Sequence, residues 1–247
     1  MSLDLGVLII GSLYWDDRKS RRDWRSNRLC MGRGWIVSSR IRYGRRSESR
    51  GCTYTMVFSL SADCAAGTAR IVSCRKQIAS IDDLKAEAAE LWAAEDDGGQ
   101  ANGNIAAGWG CVGLIANPKS DCAEIVEGWV DFVGSGKYDK APAVLDNVID
   151  REKGLLKIPW PRLTDGREPA PLDLLLATTT VPTLLTVPPC AYASPEVIAE
   201  AWGQDTDDRV EYFRKNRQND ITTFQDREIL DHLQRKFPAK IAGIPSC

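Results

Sequence analysis

The chain has 247 residues, of which 43% are hydrophobic and 27% charged, and its formal net charge is −2. This length allows the chain to bury a core of its own, as one large domain or as two small ones. The longest strongly apolar stretch, residues 5–15, is far too short to span a membrane, and the N-terminus lacks the pattern of an export signal, so we expect a cytoplasmic protein.

The first third of the chain is predicted to form strands. Residues 5–10 are a continuous apolar run that is typical of a buried central strand, and the Gly11-Ser12 pair after it indicates a tight turn. Further strands are expected where β-branched and aromatic residues are dense. These segments are residues 35–37, 41–43, 53–59 and 67–74.

The connection after this turn is strongly basic. From Asp16 to Arg50, twelve arginine and lysine residues stand against four acids, so this stretch carries +8 and the remainder of the chain −10. The basic residues all lie in residues 18–50, the arginine-rich segment, which could bind nucleic acid or another anionic partner. We favour a solvated surface whose arginines pair with acids elsewhere, because the whole chain is acidic and contains no nucleic-acid-binding motif.

Ser80 begins the clearest helix of the sequence. Residues 80–83 have the capping-box pattern, and Ala, Leu, Lys and Glu dominate up to Glu95. The residues Asp97-Gly98-Gly99 are expected to end this helix. A loop of small and polar residues follows, and residues 109–116 are predicted to form the next strand.

The second half of the chain is expected to contain two more strands and then helices. The strands are predicted at residues 126–133 and 172–180, and the helices from Ser194, at 208–217 and at 225–236. Strands first and helices last predict an α+β fold, with a small mixed β-barrel or strongly curved sheet and appended C-terminal helices. We assign residues 1–190 to the α+β domain and residues 191–247 to a helical extension packed on it.

Two residue counts restrict the chemistry. The eight cysteines contain no CxxC pair, so neither a zinc site nor a disulfide framework is indicated, and free thiols suit a reducing cytoplasm. The single histidine, His232, cannot build a metal site of two or three histidines, and its charged helical surroundings favour a solvated face. If the protein is an enzyme, we expect a carboxylate to carry its proton transfer.

Glu95 is the candidate for that carboxylate. On a helix that turns about 100° per residue, it falls within the apolar stripe that runs through Leu84 and Leu91. Burial and the negative end of the helix dipole both disfavour the charged form of such a group, which would suit it to acid–base catalysis near neutral pH. The alternative is that Glu95 reaches water in a frayed last turn, or pairs with an arginine.

The Gly11-Ser12-Leu13 turn is the candidate binding element. A turn that leaves a buried strand exposes backbone N–H groups, and these can hold a carboxylate or a developing oxyanion. Such turns are common, so this turn indicates a binding site only in combination with Glu95. Although many residues separate the two in the sequence, we expect the fold to bring them around one cavity.

Two short motifs resemble those of the γ-glutamylcyclotransferase-like family. The turn after the first strand resembles the family's YGSN/YGTL motif, with Ile10 in place of the aromatic residue. Residues 91–96 resemble its L-D-x-x-E-G motif, in which the glutamate matches Glu95, while Trp92 replaces the aspartate and Asp96 the glycine. The order of the elements between the motifs is also similar, and the resemblance covers residues 5–118.

The resemblance implies a mixed barrel within residues 1–190 and an enzyme that cyclises a γ-glutamyl amide to 5-oxoproline with release of an amine. It implies Glu95 as the general acid and base, and Gly11, Ser12 and Leu13 as the cradle of a small-molecule γ-glutamyl substrate. It implies neither a metal nor a cofactor. The alternative is a binding protein without enzymatic activity, which uses the arginine-rich segment for nucleic acid or an anionic partner.

Overall fold

The computed structural model describes residues 2–47, 51–96, 103–143, 148–167, 172–183, 192–204, 209–241 and 244. The strands of these ranges are β1 (Leu5–Ile9), β2 (Leu29–Ser47), β3 (Thr53–Phe58), β4 (Ala66–Cys74), β5 (Ala106–Ala107), β6 (Gly110–Ala116), β7 (Ile149–Asp150), β8 (Leu155–Leu156), β9 (Arg162–Leu163) and β10 (Leu174–Thr180). The α-helices of the same ranges are α1 (Lys19–Arg28), α2 (Ile81–Glu95), α3 (Ala123–Phe132), α4 (Pro195–Gly203), α5 (Val210–Gln218) and α6 (Asp226–Lys236). Shorter helical segments are formed by Val133–Lys137 and Pro238–Lys240.

The strands form one mixed sheet with β1 near its middle. The order is β3-β2-β4-β1-β10-β6-β8-β7, and over the described residues the sheet does not close into a barrel. β1 is antiparallel to β4 and parallel to β10. All five of its residues are buried, which explains the continuous apolar run, because a strand covered on both faces does not alternate. The α+β class with C-terminal helices is confirmed, whereas the barrel is not.

Strand β2 is much longer than the sequence indicated. The strands predicted at residues 35–37 and 41–43 belong to one strand of 19 residues. Its first part pairs with β4 and its last part with β3. These two ladders hold glycines and arginines of low strand propensity in extended conformation, so tertiary pairing overrides the local preference. The other strands expected in this half, at 53–59 and 67–74, are confirmed as β3 and β4.

Two helices lie where the sequence pattern predicted otherwise. α1 occupies the basic connection, for which no helix was expected. Residues 126–133, predicted as a strand, belong mainly to α3. The buried residues of this segment are Trp129 and Val133, which are four positions apart and therefore lie on one helix face. A short apolar run by itself does not distinguish a buried strand from a helix.

The C-terminal helices pack on β2 through aromatic side chains. The ring of Tyr43 lies edge-on to Trp202 of α4, with 5.0 Å between centroids, and 6.2 Å from Phe213 of α5. The three predicted helices are confirmed as α4, α5 and α6. The expected domain boundary at residue 190 lies outside the described residues.

The cysteines that the structure describes carry free thiols; they are Cys30, Cys52, Cys64, Cys74, Cys111 and Cys122. Cys190 and Cys247 lie outside the described residues. Burial raises the pKa of Cys111 to about 12, and it raises the pKa of Cys74 further, so neither thiol is a ready nucleophile. Within the described ranges, none of the helices is both long and apolar enough to cross a lipid bilayer.

Asp226 makes the stability of the fold depend on pH. Its buried carboxylate accepts hydrogen bonds from the N–H and the hydroxyl of Thr223, and Arg217 Nη1 lies 3.5 Å from its Oδ2. Burial outweighs these contacts and raises the pKa of Asp226 from 3.8 to about 6. The folded state therefore keeps a proton that the unfolded chain releases. The resulting stabilisation is complete below pH 3.8 and is lost as the pH rises through about 6.

We expect Asp226→Asn to remove this dependence, because an amide does not titrate and its oxygen still accepts the Thr223 hydrogen bonds. The free energy of unfolding of the variant, relative to that of the natural chain, should rise by on the order of 1–3 kcal/mol between about pH 4 and pH 7. Urea unfolding of both proteins across this range measures the difference. Two parallel stability curves would show that Asp226 does not titrate as described.

Candidate active site

A cavity of about 500 Å³ opens beside the end of β1. Its lining comes from the end of β1 and the turn after it, from Arg21 of α1, the end of α2, Trp109, parts of β2, β3 and β10, and one residue of α5. Gly11, Ser12, Leu13 and Glu95 all line it. The expected meeting of the turn with Glu95 is therefore confirmed, since β1 and α2 direct their ends to the same space.

Local interactions place Glu95 at the end of α2. The Ser80 hydroxyl accepts the N–H of Asp83, and the Asp83 carboxylate accepts the N–H of Ser80, so the predicted capping box forms. The helix then ends at Glu95, with Leu84 and Leu91 buried on the core side as predicted. The expected stop at residues 97–99 lies outside the described residues.

The turn after β1 closes in the manner of a first helical turn. The carbonyl of Gly11 accepts the N–H of Tyr14, and the carbonyl of Ser12 accepts the N–H groups of Trp15 and Asp16. These bonds use only acceptors of the turn, so the N–H groups of residues 11–13 take no part in them, as at the start of a helix. Such N–H groups suit an anionic ligand or an oxyanion in the cavity.

Arg21 of α1 connects the turn to Glu95, and sequence reasoning missed it. Its Nη1 donates to Ser12 Oγ and to Asp16 Oδ2, each at 2.9 Å, and its Nη2 donates to Glu95 Oε2 at 3.1 Å. Its Nε also donates to the carbonyl of Ala94 at 3.3 Å, near the end of α2. Only 4% of Arg21 is exposed. One buried guanidinium therefore fixes both candidate elements of the site.

This pairing changes the expectation for Glu95. Its side chain is 19% exposed, and its carboxylate is paired with the guanidinium of Arg21. The alternative raised from the sequence, an arginine partner, is what the structure shows. A carboxylate at this position can accept a proton from a ligand and return it later.

The arginine-rich segment is only in part the solvated surface that the sequence predicted, since four of its described basic residues are exposed and three are buried. Arg21, Arg25 and Arg42 are buried, because α1 and β2 pack into the fold and place ion-pair partners beside these side chains. Pairing with acids is confirmed, both with local residues and with α2, where Arg28 pairs with Glu87 and Glu90. Residues 48–50 of the segment lie outside the described residues.

A second part of the lining combines a cation with stacked rings. The guanidinium carbon of Arg45 lies 4.9 Å from the ring centroid of Trp109, and Trp109 stacks on Trp92 with centroids 4.5 Å apart. The buried hydroxyl of Thr178, which also lines the cavity, has no hydrogen-bond partner within the described part of the chain. Trp92 is the residue that replaces the aspartate of the resembled motif.

The C-terminal helices contribute Tyr212 to the cavity. Its hydroxyl accepts the N–H of Met56 at 3.3 Å, and the neighbouring Asn216 accepts Trp15 Nε1–H at 2.7 Å. A Cβ atom on Gly11 would lie 2.4 Å from the Tyr212 hydroxyl oxygen. Position 11 therefore requires glycine because a side chain from α5 approaches it closely, and no local signal in the sequence indicates this contact.

We expect Gly11→Ala to destabilise the protein by about 1–3 kcal/mol through overpacking against that hydroxyl. In a Tyr212→Phe background the next atom, the ring Cζ, lies at an ordinary 3.5 Å. The double variant should therefore be more stable than the sum of the single effects predicts. Denaturant unfolding of the four proteins measures the coupling, and strictly additive effects would contradict the close approach.

The arrangement places a carboxylate beside backbone N–H donors in a partly enclosed space. A carboxylate there can take a proton from an amine, and the N–H groups can stabilise the oxyanion of an attacked carbonyl. Comparisons of the chain with protein-family models, with curated proteins and with solved structures find no match.

Proposed function

We propose that the protein is a γ-glutamylcyclotransferase-like enzyme, which cyclises a γ-glutamyl amide to 5-oxoproline and releases an amine. The observation that carries the proposal is the meeting of Glu95 with the Gly11-Ser12-Leu13 turn in one cavity, where Arg21 bonds to both. Glu95 acts as the general base and acid, and the turn holds the γ-glutamyl group. The proposed reaction involves neither a metal nor a cofactor.

The proposed reaction uses these groups in turn. The neutral α-amine of the substrate attacks its own γ-carbonyl carbon, and the carboxylate of Glu95 takes the proton from that nitrogen. The N–H groups of the turn stabilise the oxyanion that forms. The original amide C–N bond then breaks, and Glu95 returns the proton to the leaving nitrogen. One C–N bond forms and one breaks, and the proton taken from the attacking amine leaves with the released amine, so the reaction balances.

A binding role for the arginine-rich segment has less support. Phosphate contacts need accessible cations, and Arg21, Arg25 and Arg42 are buried in ion pairs, which leaves four exposed basic residues among the described ones of the segment. The free thiols of the described cysteines suit a reducing compartment, so we propose a cytoplasmic enzyme. Submicromolar binding of DNA or RNA at physiological salt would favour the binding role instead.

The direct test is release of 5-oxoproline. The purified protein is incubated with a panel of γ-glutamyl amines and γ-glutamyl amino acids, and the products are separated by chromatography. We expect release of 5-oxoproline, with an equal amount of free amine, from at least one class. Absence of release across the panel would contradict the proposed reaction.

A further inference from the structure

We propose that the hydroxyl of Ser12 donates a hydrogen bond to the γ-carbonyl oxygen of the substrate, and that Arg21 sets the direction of this hydroxyl; this inference rests on the proposed function. In that function the backbone N–H groups of the turn hold the γ-glutamyl group. The side chain of Ser12 adds a further donor at the oxygen where negative charge develops. Ser12 is then a catalytic residue, and Arg21 is a positioning residue that acts through it.

The hydrogen bond between Arg21 and Ser12 can run in only one direction. A guanidinium carries N–H donors and no acceptor, so Arg21 Nη1 donates and Ser12 Oγ, 2.9 Å away, accepts. The hydroxyl proton of Ser12 is therefore not used in this bond. Among the residues that the structure describes, none accepts that proton. Ser12 thus keeps one hydrogen-bond donor for a ligand.

The Ser12 hydroxyl and the carboxylate of Glu95 lie beside the same guanidinium. Arg21 Nη1 meets Ser12 Oγ at 2.9 Å, and Nη2 of the same group meets Glu95 Oε2 at 3.1 Å. All three residues line the cavity, and because the guanidinium is rigid and planar, it fixes both partners on one wall. The base and the proposed donor can therefore act on the same ligand.

The neighbouring acid does not take up the Ser12 proton. Asp16 Oδ2 lies 2.9 Å from the same Arg21 Nη1, and Asp16 Oδ1 accepts the N–H of Arg18 at 3.0 Å. Within the described part of the chain, neither oxygen is hydrogen-bonded to Ser12. Ser12 is only 8% exposed, so its hydroxyl has little contact with bulk water. A buried hydroxyl that donates to nothing is costly, so we expect this proton to meet a polar atom in the cavity.

Attack of the α-amine converts the γ-carbonyl oxygen into an oxyanion. Donors aimed at this oxygen stabilise its charge, and they do so more strongly in the transition state than in the bound substrate. A hydroxyl whose own oxygen accepts a hydrogen bond from a cation is polarised and donates more strongly. When the original C–N bond breaks, the oxyanion becomes a carbonyl again. The Ser12 proton stays on the serine throughout, so Ser12 stabilises charge and transfers no proton.

The experiment compares Ser12→Ala with the natural chain on two substrates, the fastest γ-glutamyl amide of the panel and its analogue with sulfur in place of the γ-carbonyl oxygen. Release of the amine is measured for both. We expect Ser12→Ala to lower kcat for the oxygen substrate about 100-fold, with a smaller change in KM. The loss should be much smaller for the sulfur substrate, because sulfur is a weak hydrogen-bond acceptor.

The control variants separate this role from a structural one. Ser135→Ala changes an exposed serine outside the cavity lining and should alter neither rate. Arg21→Met should lower the ratio of the oxygen rate to the sulfur rate, because the Ser12 hydroxyl loses the donor that directs it. If Ser12→Ala does not fold, Ser12→Cys replaces it, since a thiol is a weak donor of similar size.

Equal losses on the two substrates, or equal rates of Ser12→Ala and the natural chain, would overturn the role of Ser12, and an unchanged ratio in Arg21→Met would overturn that of Arg21. If no γ-glutamyl amide is turned over, the proposed reaction fails. Calorimetric titration with 5-oxoproline still tests the Ser12 donor, because its ring carbonyl is the former γ-carbonyl. An affinity that falls about 3- to 10-fold in Ser12→Ala and is unchanged in Ser135→Ala would support the donor. Equal affinities, or no binding by the natural chain, would overturn it.

Discussion

Replacing Glu95 by glutamine is expected to remove most turnover and to keep the fold. An amide cannot take the proton of the attacking amine, and general acid–base catalysis is worth about 10²–10⁴ in rate. The fold should persist because the glutamine oxygen can still accept Arg21 Nη2–H, which donates to Glu95 at 3.1 Å. The loss of the charged partner should lower the melting temperature by only a few degrees.

The measurement is kcat for 5-oxoproline release, together with thermal unfolding of the same samples. Glu90 of the same helix is not a suitable control, because it pairs with Arg28. Glu127 is exposed on α3 and offers the same chemical change, so Glu127→Gln should alter neither rate nor stability. If the natural chain is active and Glu95→Gln is equally active, the proposed mechanism is wrong. A Glu95→Gln protein that unfolds would show instead that the fold requires the charge of Glu95.

Removing the Arg21 guanidinium should produce the largest loss of stability. Arg21→Met keeps the apolar stem of the side chain but leaves Asp16 and Glu95 without their shared cation. Breaking a buried ion pair in this way costs about 3 kcal/mol or more. For a chain of this size the melting temperature should fall by about 6–12 °C. The melting temperature of Arg21→Lys should lie between those of the natural chain and Arg21→Met, because one ammonium group cannot make all the hydrogen bonds of the forked guanidinium.

Lys19→Met is the matched control for this prediction. Lys19 is also in α1 and also pairs with an acid, Asp23, but its side chain is 84% exposed, so its loss should change stability little. Combining Arg21→Met with Asp16→Asn and Glu95→Gln should restore part of the stability, because the uncompensated charges disappear. If Arg21→Met were as stable as Lys19→Met, Arg21 would not hold the turn and Glu95 together.

The sequence by itself determined the elements whose signals are local. The apolar run of β1 and the Gly11-Ser12 turn could be predicted because a buried central strand needs no alternation. The start and end of α2 followed from its capping box and its composition, and the position of Glu95 on its apolar face followed from the helical period. These signals involve residues within one or two turns of each other, so they can be recognised without the rest of the chain.

Only the tertiary structure decided what surrounds Glu95. Arg21 looked like one charge of a solvated run, and its burial depends on Asp16 and on Glu95 of α2. Tyr212 approaches Gly11 from a helix near the other end of the chain. A bulge of β2 precedes Arg45 and depends on pairing with β3. Each of these features requires contacts between residues that are distant in sequence. The free energy of such contacts outweighs the local preference of a residue for helix or strand, and the residues involved do not recur at a regular spacing that sequence reading could detect.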